Sequence, residues 1–256
     1  MGDRRIELKS AADLARMRRA GRVAANALAA VGRAVKPGVS TADLDKIARD
    51  VIQGAGAVPT FLGYLGYPAT ICASINEEVV HGIPSPKRIL KEGDVIGIDV
   101  GATLDGFVGD TAATFPVGKI GADRSDLLNT TRDALQRGIE AARVGQRLGD
   151  IGHAIQKAAE PKGYGVVRDF VGHGIGRQMH EGPSVPNYGE PGAGLRLDAG
   201  LVLALEPMFN AGTWKVRTLS DGWTVVTEDG KPSAHFEHTV AITDAGPEIL
   251  TVPDER

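Results

Sequence analysis

Two aspartates, Asp99 and Asp110, lie in an apolar, strand-like stretch with the sequence IGIDVGATLDGFVGDTAATF. Between them stands the dipeptide Asp105-Gly106, which is typical of the two-residue type I′ turn of a β-hairpin. A lone carboxylate buried in such a stretch is costly, so each aspartate needs a partner. The pattern therefore predicts a hairpin over residues 94–116 with two acids that must be neutralised.

The register of this hairpin follows from its turn. Leu104 faces Phe107, and two positions further along Gly101 faces Asp110. Side chains alternate between the faces of a strand, so Asp99 lies on the same face as Gly101 and is a diagonal neighbour of Asp110. At roughly 7–8 Å between backbones, two carboxylates can converge on one point. They then share either a proton or a metal ion.

Three further residues favour the metal ion. Glu206 ends the apolar run in LALEPM, Glu237 lies inside AHFEHTVAI, and His173 stands between glycines in VGHGIG. Each of them alone is usually a cap, an ion-pair partner or a packed histidine, but four crowded carboxylates without a cation would repel one another. A carboxylate-rich set with one imidazole suits Mn, Fe, Co or Zn. Two such ions about 3.5–4 Å apart can activate one water.

The elements that must position these residues come in the order helix, helix, strands, twice over. Ser10 and Ser40 each precede a helical pattern, the first closed by Lys36-Pro37-Gly38 and the second ending near Gly54. Further helices are predicted over 123–142 and 148–160. Residues 57–92 predict irregular structure with short strands, and 165–250 predict strands between turns. This order favours an α+β layer architecture over βαβ units.

The two blocks resemble each other at a shift of 107 residues. The shift aligns two apolar runs that each end in an acid, GDVIGID (Gly93–Asp99) and GLVLALE (Gly200–Glu206). It also aligns three single residues: Gly38 with Gly145, Asp43 with Asp150, and Gly56 with Gly163. Chance similarity is the alternative. A duplicated, pseudo-twofold fold would bring the two acidic strand ends together at its centre.

Composition narrows the functional classes. The chain has 256 residues and a net charge of −3, which gives no general attraction to nucleic acid or to an anionic membrane. Seven basic residues within positions 1–22 predict a solvated helix face, with an RNA or ribosome contact as the alternative. The single cysteine, Cys72, excludes a disulfide within the chain and a cysteine zinc site. Without a signal peptide or an apolar run of 18 residues, a cytoplasmic protein is expected.

Six motifs together carry a family resemblance: VVHGIP, IGIDVG, GDTAATF, GHGIGRQMHEGPSVPNYG, LALEPM and AHFEHTV. The set is similar to the type I methionine aminopeptidases, and the similarity runs from about residue 6 to residue 252. It implies the pita-bread (creatinase/aminopeptidase) fold, in which a central antiparallel sheet and outer helices form two pseudo-twofold halves. We expect one catalytic domain over 1–256, with halves at about 10–118 and 119–250, and a monomer.

The resemblance also implies roles for residues. It implies a dinuclear metal site for Co, Mn, Fe or Zn, a histidine on the substrate carbonyl (His180), a histidine near the scissile nitrogen (His81), and a glutamate that shuttles the proton (Glu206). The expected metal ligands are Asp99, Asp110, His173, Glu206 and Glu237. The expected methionine pocket, besides His81 and His180, consists of Phe61, Tyr64, Tyr67, Cys72, Met179 and Trp223.

The pocket residues have a physical rationale of their own. Phe61, Tyr64 and Tyr67 fall within seven residues of one Gly/Pro-rich loop, although aromatic residues make up only 5% of the chain. Aromatic rings make favourable contacts with a thioether. A loop packed down by its own aromatics is the alternative, and Cys72 alone is more often a small buried hydrophobe than a nucleophile.

Two positions depart from the family pattern. Met179 stands where Phe is common, and His235 stands where Gln is common, two residues before Glu237. We expect Met179 to line the pocket and His235 to influence metal preference from behind the ligands. The spacing in GHGIGR fails as a dinucleotide fingerprint because Arg177 replaces the required glycine.

The expected reaction is hydrolytic removal of an N-terminal methionine from peptides and nascent proteins, with a small second residue preferred. Two alternatives stay open. One is a proline-directed peptidase of the same fold, which usually carries an additional N-terminal domain. The other is a binding protein without enzymatic activity, against which the retention of all five expected ligands argues.

Overall fold

A computed structural model describes residues 6–254. They contain four α-helices and fifteen β-strands. The helices are α1 Ala11–Ala34, α2 Thr41–Gly54, α3 Ala122–Ala141 and α4 Leu148–Ala159. The strands are β1 Val58–Pro59, β2 Ile71–Ile75, β3 Glu78–Val80, β4 Val95–Leu104, β5 Phe107–Pro116, β6 Gly165–Val166, β7 Gly172–Gly174, β8 Glu181–Val185, β9 Val202–Leu205, β10 Met208–Asn210, β11 Val216–Thr218, β12 Val225–Thr227, β13 Ser233–His235, β14 Glu237–Thr243 and β15 Gly246–Ile249.

Helices α1 and α2 begin with the same capping box. Ser10 Oγ accepts a hydrogen bond from the Asp13 backbone N–H, and the Asp13 carboxylate accepts one from the Ser10 N–H. Ser40 and Asp43 repeat this exchange at α2. Each box satisfies two of the N–H groups that a helix start leaves without partners. The predicted N-termini of both helices are therefore confirmed, and α3 and α4 lie within one residue of their predicted bounds.

A nine-stranded sheet forms the centre of the molecule, and every strand pair in it is antiparallel. Its main path is β1-β4-β5-β14-β9-β7-β8, with β2 also paired to β4 and β15 to β14. The predicted hairpin is confirmed in its register, with Gly101 opposite Asp110 and Asp99 opposite Ala112. Asp105 and Gly106 have φ angles of 50° and 77°, as a type I′ turn requires at both central positions.

The helices pack against this sheet in two pairs, each with its own apolar core. Helices α1 and α2 share a core with β2 and β4, and α3 and α4 share one with β9 and β14. Helix α1 lies close to β5, where a Cβ added to Gly109 would lie 2.4 Å from Gly21 Cα. The absence of a side chain at Gly109 thus lets the helix backbone lie directly on the hairpin that carries Asp99 and Asp110.

Residues 107 apart have matching local structure. Three pairs of glycines adopt positive φ angles that agree closely: Gly38 and Gly145 at 90° and 89°, Gly56 and Gly163 at 71° and 69°, and Gly93 and Gly200 at 90° and 92°. The isolated bridges Ser40–Ile89 and Arg147–Arg196 are related by the same shift. We propose that residues 10–118 and 119–250 are the two halves of a duplication, and that α2 and α4 are equivalent helices.

The basic face of α1 is paired with acids. Arg18 forms an ion pair with Glu248, Arg19 with Asp105, and Arg22 with Asp254. Arg18, Arg19 and Arg22 thus lie on the solvated helix face that the sequence predicts. The prediction is wrong for Lys9, which precedes α1 and is buried in an ion pair with Glu181. Arg4 and Arg5, which belong to the same predicted patch, lie outside the described residues. Within residues 6–254, no helix has both the length and the apolar character needed to cross a membrane.

Candidate metal centre and methionine pocket

Five neighbouring strands of the central sheet each bring one predicted metal ligand to the site. In sheet order these strands are β4, β5, β14, β9 and β7. Their ligands, in the same order, are Asp99, Asp110, Glu237, Glu206 and His173, with Glu206 directly after the last residue of β9. Because adjacent strands lie about 4.8 Å apart, a row of side chains on one face can converge.

The strand register explains how these side chains meet. Ala112 of β5 lies opposite both Asp99 of β4 and Glu237 of β14, so the two acids flank it on one face of the sheet. His173 of β7 lies opposite Ala204 of β9, two residues before Glu206. The small alanine side chains leave the space between the strands to the longer acidic ones. The sheet thus positions acids from both halves of the sequence at its centre.

The distances between the ligand atoms are short. His173 Nε2 lies 3.9 Å from Asp110 Oδ2 and 3.6 Å from Glu206 Oε1. Asp110, His173 and Glu237 each offer one possible ligand atom, and these three atoms lie within 4.8 Å of one another. All three residues are buried. His173 Nδ1 is 2.9 Å from the Gly174 carbonyl oxygen. Because a carbonyl only accepts, Nδ1 carries the proton and Nε2 is the nitrogen that faces the acids.

The four acids are in an environment that disfavours their charge. Burial, and then the charge of the neighbouring carboxylates, raise the pKa values of Asp99, Asp110, Glu206 and Glu237 well above their usual range. Among residues 6–254, no lysine or arginine forms an ion pair with any of the four.

The same cluster contains polar atoms without hydrogen bonds. Within the described chain, Asp99 Oδ1, Asp110 Oδ1 and Glu237 Oε1 are buried and have no hydrogen-bond partner. A buried carboxylate oxygen in that state costs free energy unless a cation neutralises it. These carboxylate oxygens come from three strands, and Nε2 of His173 faces the same acids. Such a set of ligand atoms fits divalent cations that prefer oxygen and nitrogen ligands.

One cavity of about 170 Å³ adjoins this cluster. All thirteen residues that the sequence analysis assigns to the site line it: Phe61, Tyr64, Tyr67, Cys72, His81, Asp99, Asp110, His173, Met179, His180, Glu206, Trp223 and Glu237. The wall combines acids and imidazoles with aromatic rings, Met179 and Cys72. Ligand cluster and apolar pocket are therefore two parts of one space, while the role of each residue stays a prediction.

The apolar part of the wall is held by hydrogen bonds and ring contacts. Tyr67 Oη donates to the carbonyl oxygens of Ile71 and Gly82, and its ring meets the Trp223 ring edge-on at 5.0 Å. Cys72 lies opposite Asp99 in the pairing of β2 with β4, which joins the pocket to the acids. Burial raises the pKa of the Cys72 thiol, so it stays protonated and contributes a small apolar surface.

Two histidines lie where the pocket meets the acids. His180 Nδ1 is 2.7 Å from Tyr64 Oη, and the His180 ring centroid is 4.4 Å from that of His173. His81 has a φ angle of 60° and meets the Phe170 ring edge-on at 5.6 Å. Burial, with a smaller effect from His180, lowers the pKa of His81 to about 4. His81 is therefore a neutral imidazole near neutral pH.

The sequence analysis missed one residue of the cavity wall. Leu65 lines the cavity although its side chain is mostly exposed, and its φ angle of 50° is unusual for leucine. Its place between Tyr64 and Tyr67 was the only available signal. His235 is buried in β13 and does not line the cavity. Its backbone N–H donates to Thr114 Oγ1, and its effect on metal preference stays a prediction.

Comparison with known proteins identifies the family of the chain. Residues 15–244 match metallopeptidase family M24. The chain is 53% identical to a methionine aminopeptidase of Clostridium acetobutylicum, over 96% of this chain and 99% of that protein. The structure superposes on a methionine aminopeptidase from Rickettsia prowazekii with a TM-score of 0.95 and 45% identity, covering 97% of this chain and 100% of the other.

A second structural likeness concerns the fold alone. A prolidase from Pyrococcus furiosus gives a TM-score of 0.75 at 23% identity, covering 97% of this chain and 66% of the prolidase. The predicted pita-bread fold is thus confirmed, since methionine aminopeptidases and prolidases share it. From the family match and the identity over nearly its full length, the chain belongs to the methionine aminopeptidases of metallopeptidase family M24.

Proposed function

We propose that this protein hydrolyses the peptide bond after an N-terminal methionine, in peptides and in nascent proteins. The observation that carries the proposal is the single cavity in which an acid–imidazole cluster adjoins an aromatic pocket. Its volume of about 170 Å³ is below the roughly 300–1,000 Å³ of sites for drug-sized ligands. The space suits one side chain and the bond next to it. Because nascent chains are substrates, we place the activity in the cytoplasm.

Asp99, Asp110, His173, Glu206 and Glu237 would hold two divalent cations, of Mn, Fe, Co or Zn. Bound there, the cations would neutralise the carboxylates, polarise the scissile carbonyl and make a water more acidic. The buried oxygens without hydrogen-bond partners support this assignment, as does the absence of a paired lysine or arginine within residues 6–254.

The chain's own residues divide the remaining work. Phe61, Tyr67, Cys72, Met179 and Trp223 surround the methionine side chain and exclude water from it. Apolar and aromatic walls of this kind suit a thioether, which packs well against ring edges.

The histidines and Glu206 act at the reacting bond. Tyr64 holds the His180 ring through Nδ1, so we assign Nε2 of His180 to the substrate's carbonyl oxygen, where negative charge develops. Neutral His81, which also lines the cavity, is assigned to the scissile nitrogen. Glu206 takes the proton from the attacking water and passes it to the leaving amine.

A small second residue is preferred because little of the cavity remains beyond the methionine side chain. The test uses metal-depleted protein reloaded with Mn or Co. We expect cleavage of Met-Ala-Ser, at least tenfold slower cleavage of Met-Lys-Ser, and no turnover of Ala-Pro-Ser. Equal cleavage of the two methionine peptides would contradict the size preference. Turnover of the proline peptide alone would show a proline-directed peptidase instead.

A matched variant identifies the site in this assay. Asp99→Asn keeps the size of the side chain but removes a charge from the cluster. We expect it to fold, to lose metal and to lose activity. Full activity of this variant would contradict the assignment of Asp99 as a ligand.

A further inference from the structure

We propose that Lys9 and Glu181 are positioning residues, which hold the loop of residues 175–180 so that His180 and Met179 face the cavity. The proposal rests on the role of His180 in the proposed function. Neither residue lines the cavity, and their ion pair joins positions 172 apart in the chain.

The loop joins two strands that contribute to the site. It connects β7, which carries His173, to β8, and its last residue is His180. Glu181, the first residue of β8, folds its side chain back over the loop. Its Oε1 accepts hydrogen bonds from the backbone N–H groups of Arg177 and Gln178, at 2.7 and 3.1 Å. One carboxylate oxygen thus fixes the backbone of the turn that leads to His180.

The other oxygen of that carboxylate is bound by Lys9. Lys9 Nζ donates to Glu181 Oε2 at 2.7 Å and to the Glu7 carbonyl oxygen at 3.1 Å. The Lys9 side chain is only 1% exposed, whereas lysine side chains almost never lie fully buried unless they are paired. The Lys9 backbone N–H also donates to the Gly200 carbonyl oxygen at 2.7 Å. The segment before α1 is therefore held both by a backbone hydrogen bond and by the ion pair of the Lys9 side chain.

Packing leaves the loop little freedom. A Cβ added to Gly176 would lie 2.3 Å from Lys9 Cε, so the lysine stem lies directly on the loop backbone. Arg177 Nη2 lies 3.3 Å from Asp13 Oδ1, and the Arg177 guanidinium lies 4.4 Å from the centre of the Phe107 ring. Two ion pairs thus hold the segment of residues 7–13: a buried one to Glu181 at the start of β8, and a more exposed one to Arg177 of the loop.

Loss of the lysine should therefore change the position of His180 and not only the stability of the protein. Without Lys9 Nζ, the Glu181 carboxylate loses the only ion-pair partner that it has among residues 6–254, and it is drawn towards water together with the two N–H groups it binds. Misplacement of a group at a reacting centre by about 1 Å can cost about 100-fold in rate. Because His180 is assigned to the developing charge, we expect kcat to fall about 10- to 100-fold and KM to change less than threefold.

The test compares Lys9→Met and Glu181→Gln with two controls. Lys162→Met removes the exposed ion pair with Asp126, and Ile155→Val removes one methyl group from the core beneath α4. The first readout is hydrogen exchange of the Arg177 and Gln178 N–H groups in metal-free protein. We expect it to accelerate at least tenfold in Lys9→Met and to stay unchanged in both controls.

The second readout is the kinetics of Met-Ala-Ser cleavage by the metal-loaded proteins. A fall in kcat for Lys9→Met and Glu181→Gln, with KM nearly constant and no fall in the controls, supports a positioning role. A lower melting temperature with wild-type kcat and unchanged exchange would overturn it. If Lys9→Met does not fold, Glu181→Gln, which keeps an acceptor for both N–H groups, decides by its kinetics alone: a fall in kcat with KM nearly constant supports the positioning role, and a wild-type kcat overturns it. Should the wild-type protein cleave no methionine peptide, the proposed function fails, while the exchange experiment still tests the contact between Lys9 and the loop.

Discussion

Replacement of Asp110 by asparagine should change the metal-free and the metal-loaded protein in opposite directions. Asp110 is buried, has an oxygen without a hydrogen-bond partner, and lies within 4.8 Å of the ligand atoms of His173 and Glu237. Asparagine has nearly the same shape, no charge, and an amide group that can donate to a neighbouring carboxylate. The variant should therefore be more stable than the wild type without metal and should bind metal poorly.

The size of the effect follows from the distances. Two like charges about 4.8 Å apart repel by about 3 kcal/mol at an effective dielectric constant of about 20. Partial protonation relieves some of this, so we expect the metal-free variant to gain about 1–3 kcal/mol near pH 7.5. A domain of this length shifts its melting temperature by about 2–4 °C per kcal/mol, which makes the gain a few degrees.

The pH dependence has a defined sign. Burial and neighbouring carboxylates raise the pKa of Asp110 in the folded protein. The stability that this carboxyl contributes is present below its unfolded pKa, near 4, and is lost as the pH rises through its raised folded pKa. The advantage of the metal-free variant over the wild type should therefore grow as the pH rises above about 4.

Thermal unfolding measured with a chelator and with Mn provides the assay. Mn at about 1,000 times its dissociation constant should stabilise the wild type by about 4 kcal/mol, or about 10 °C, and should barely stabilise Asp110→Asn. Asp45→Asn is the matched control, because Asp45 is also buried but accepts hydrogen bonds from Thr70 N, Ile71 N and Arg49 Nη2. It should lose stability under both conditions and keep the full Mn shift. A metal-free Asp110→Asn protein that melts well below the wild type, with its Mn shift intact, would show that Asp110 is neither repelled by its neighbours nor a metal ligand.

Three further predictions concern the site and its support. Tyr64→Phe removes the hydroxyl that lies 2.7 Å from His180 Nδ1 and should lower kcat about 3- to 10-fold, consistent with a net hydrogen-bond contribution of about 1 kcal/mol; an unchanged kcat would contradict that role. The His81 ring should titrate near pH 4 in proton NMR spectra of the metal-free protein, and a titration midpoint near pH 6.5 would disprove the effect of burial. The unfolding free energy of the wild type, relative to that of His81→Asn, should fall by about 1.4 kcal/mol per pH unit as the pH drops from 6.5 to 4. Gly109→Ala places a methyl group 2.4 Å from Gly21 backbone atoms and should lower the unfolding free energy by about 3 kcal/mol in chemical denaturation, and no loss would show that α1 can move off the hairpin.

Much of the fold could be predicted because its signals are local. Ser10 and Ser40 begin their helices as the capping pattern indicates, and Asp105-Gly106 fixes the hairpin register to the residue. That register alone places Asp99 and Asp110 on one face of the hairpin. Local turn and cap chemistry is decisive here because it leaves few alternatives.

Other features depend on tertiary contacts that no local pattern reports. Nothing in the sequence near Lys9 indicates that its charge is buried against Glu181, since the two lie far apart in the chain. Leu65 has no feature that marks it as part of a cavity wall. The convergence of Glu206 and Glu237 with the hairpin acids depends on the order of strands in the sheet, which the residue types alone leave undetermined.

Anomalous X-ray diffraction from crystals soaked in Mn shows whether these side chains bind metal. We expect two strong anomalous peaks at the centre of the sheet, and we expect Asp99, Asp110, His173, Glu206 and Glu237 to hold the two ions between them. Peaks at other places, or none in protein that cleaves Met-Ala-Ser under the same conditions, would contradict the assignment of these ligands.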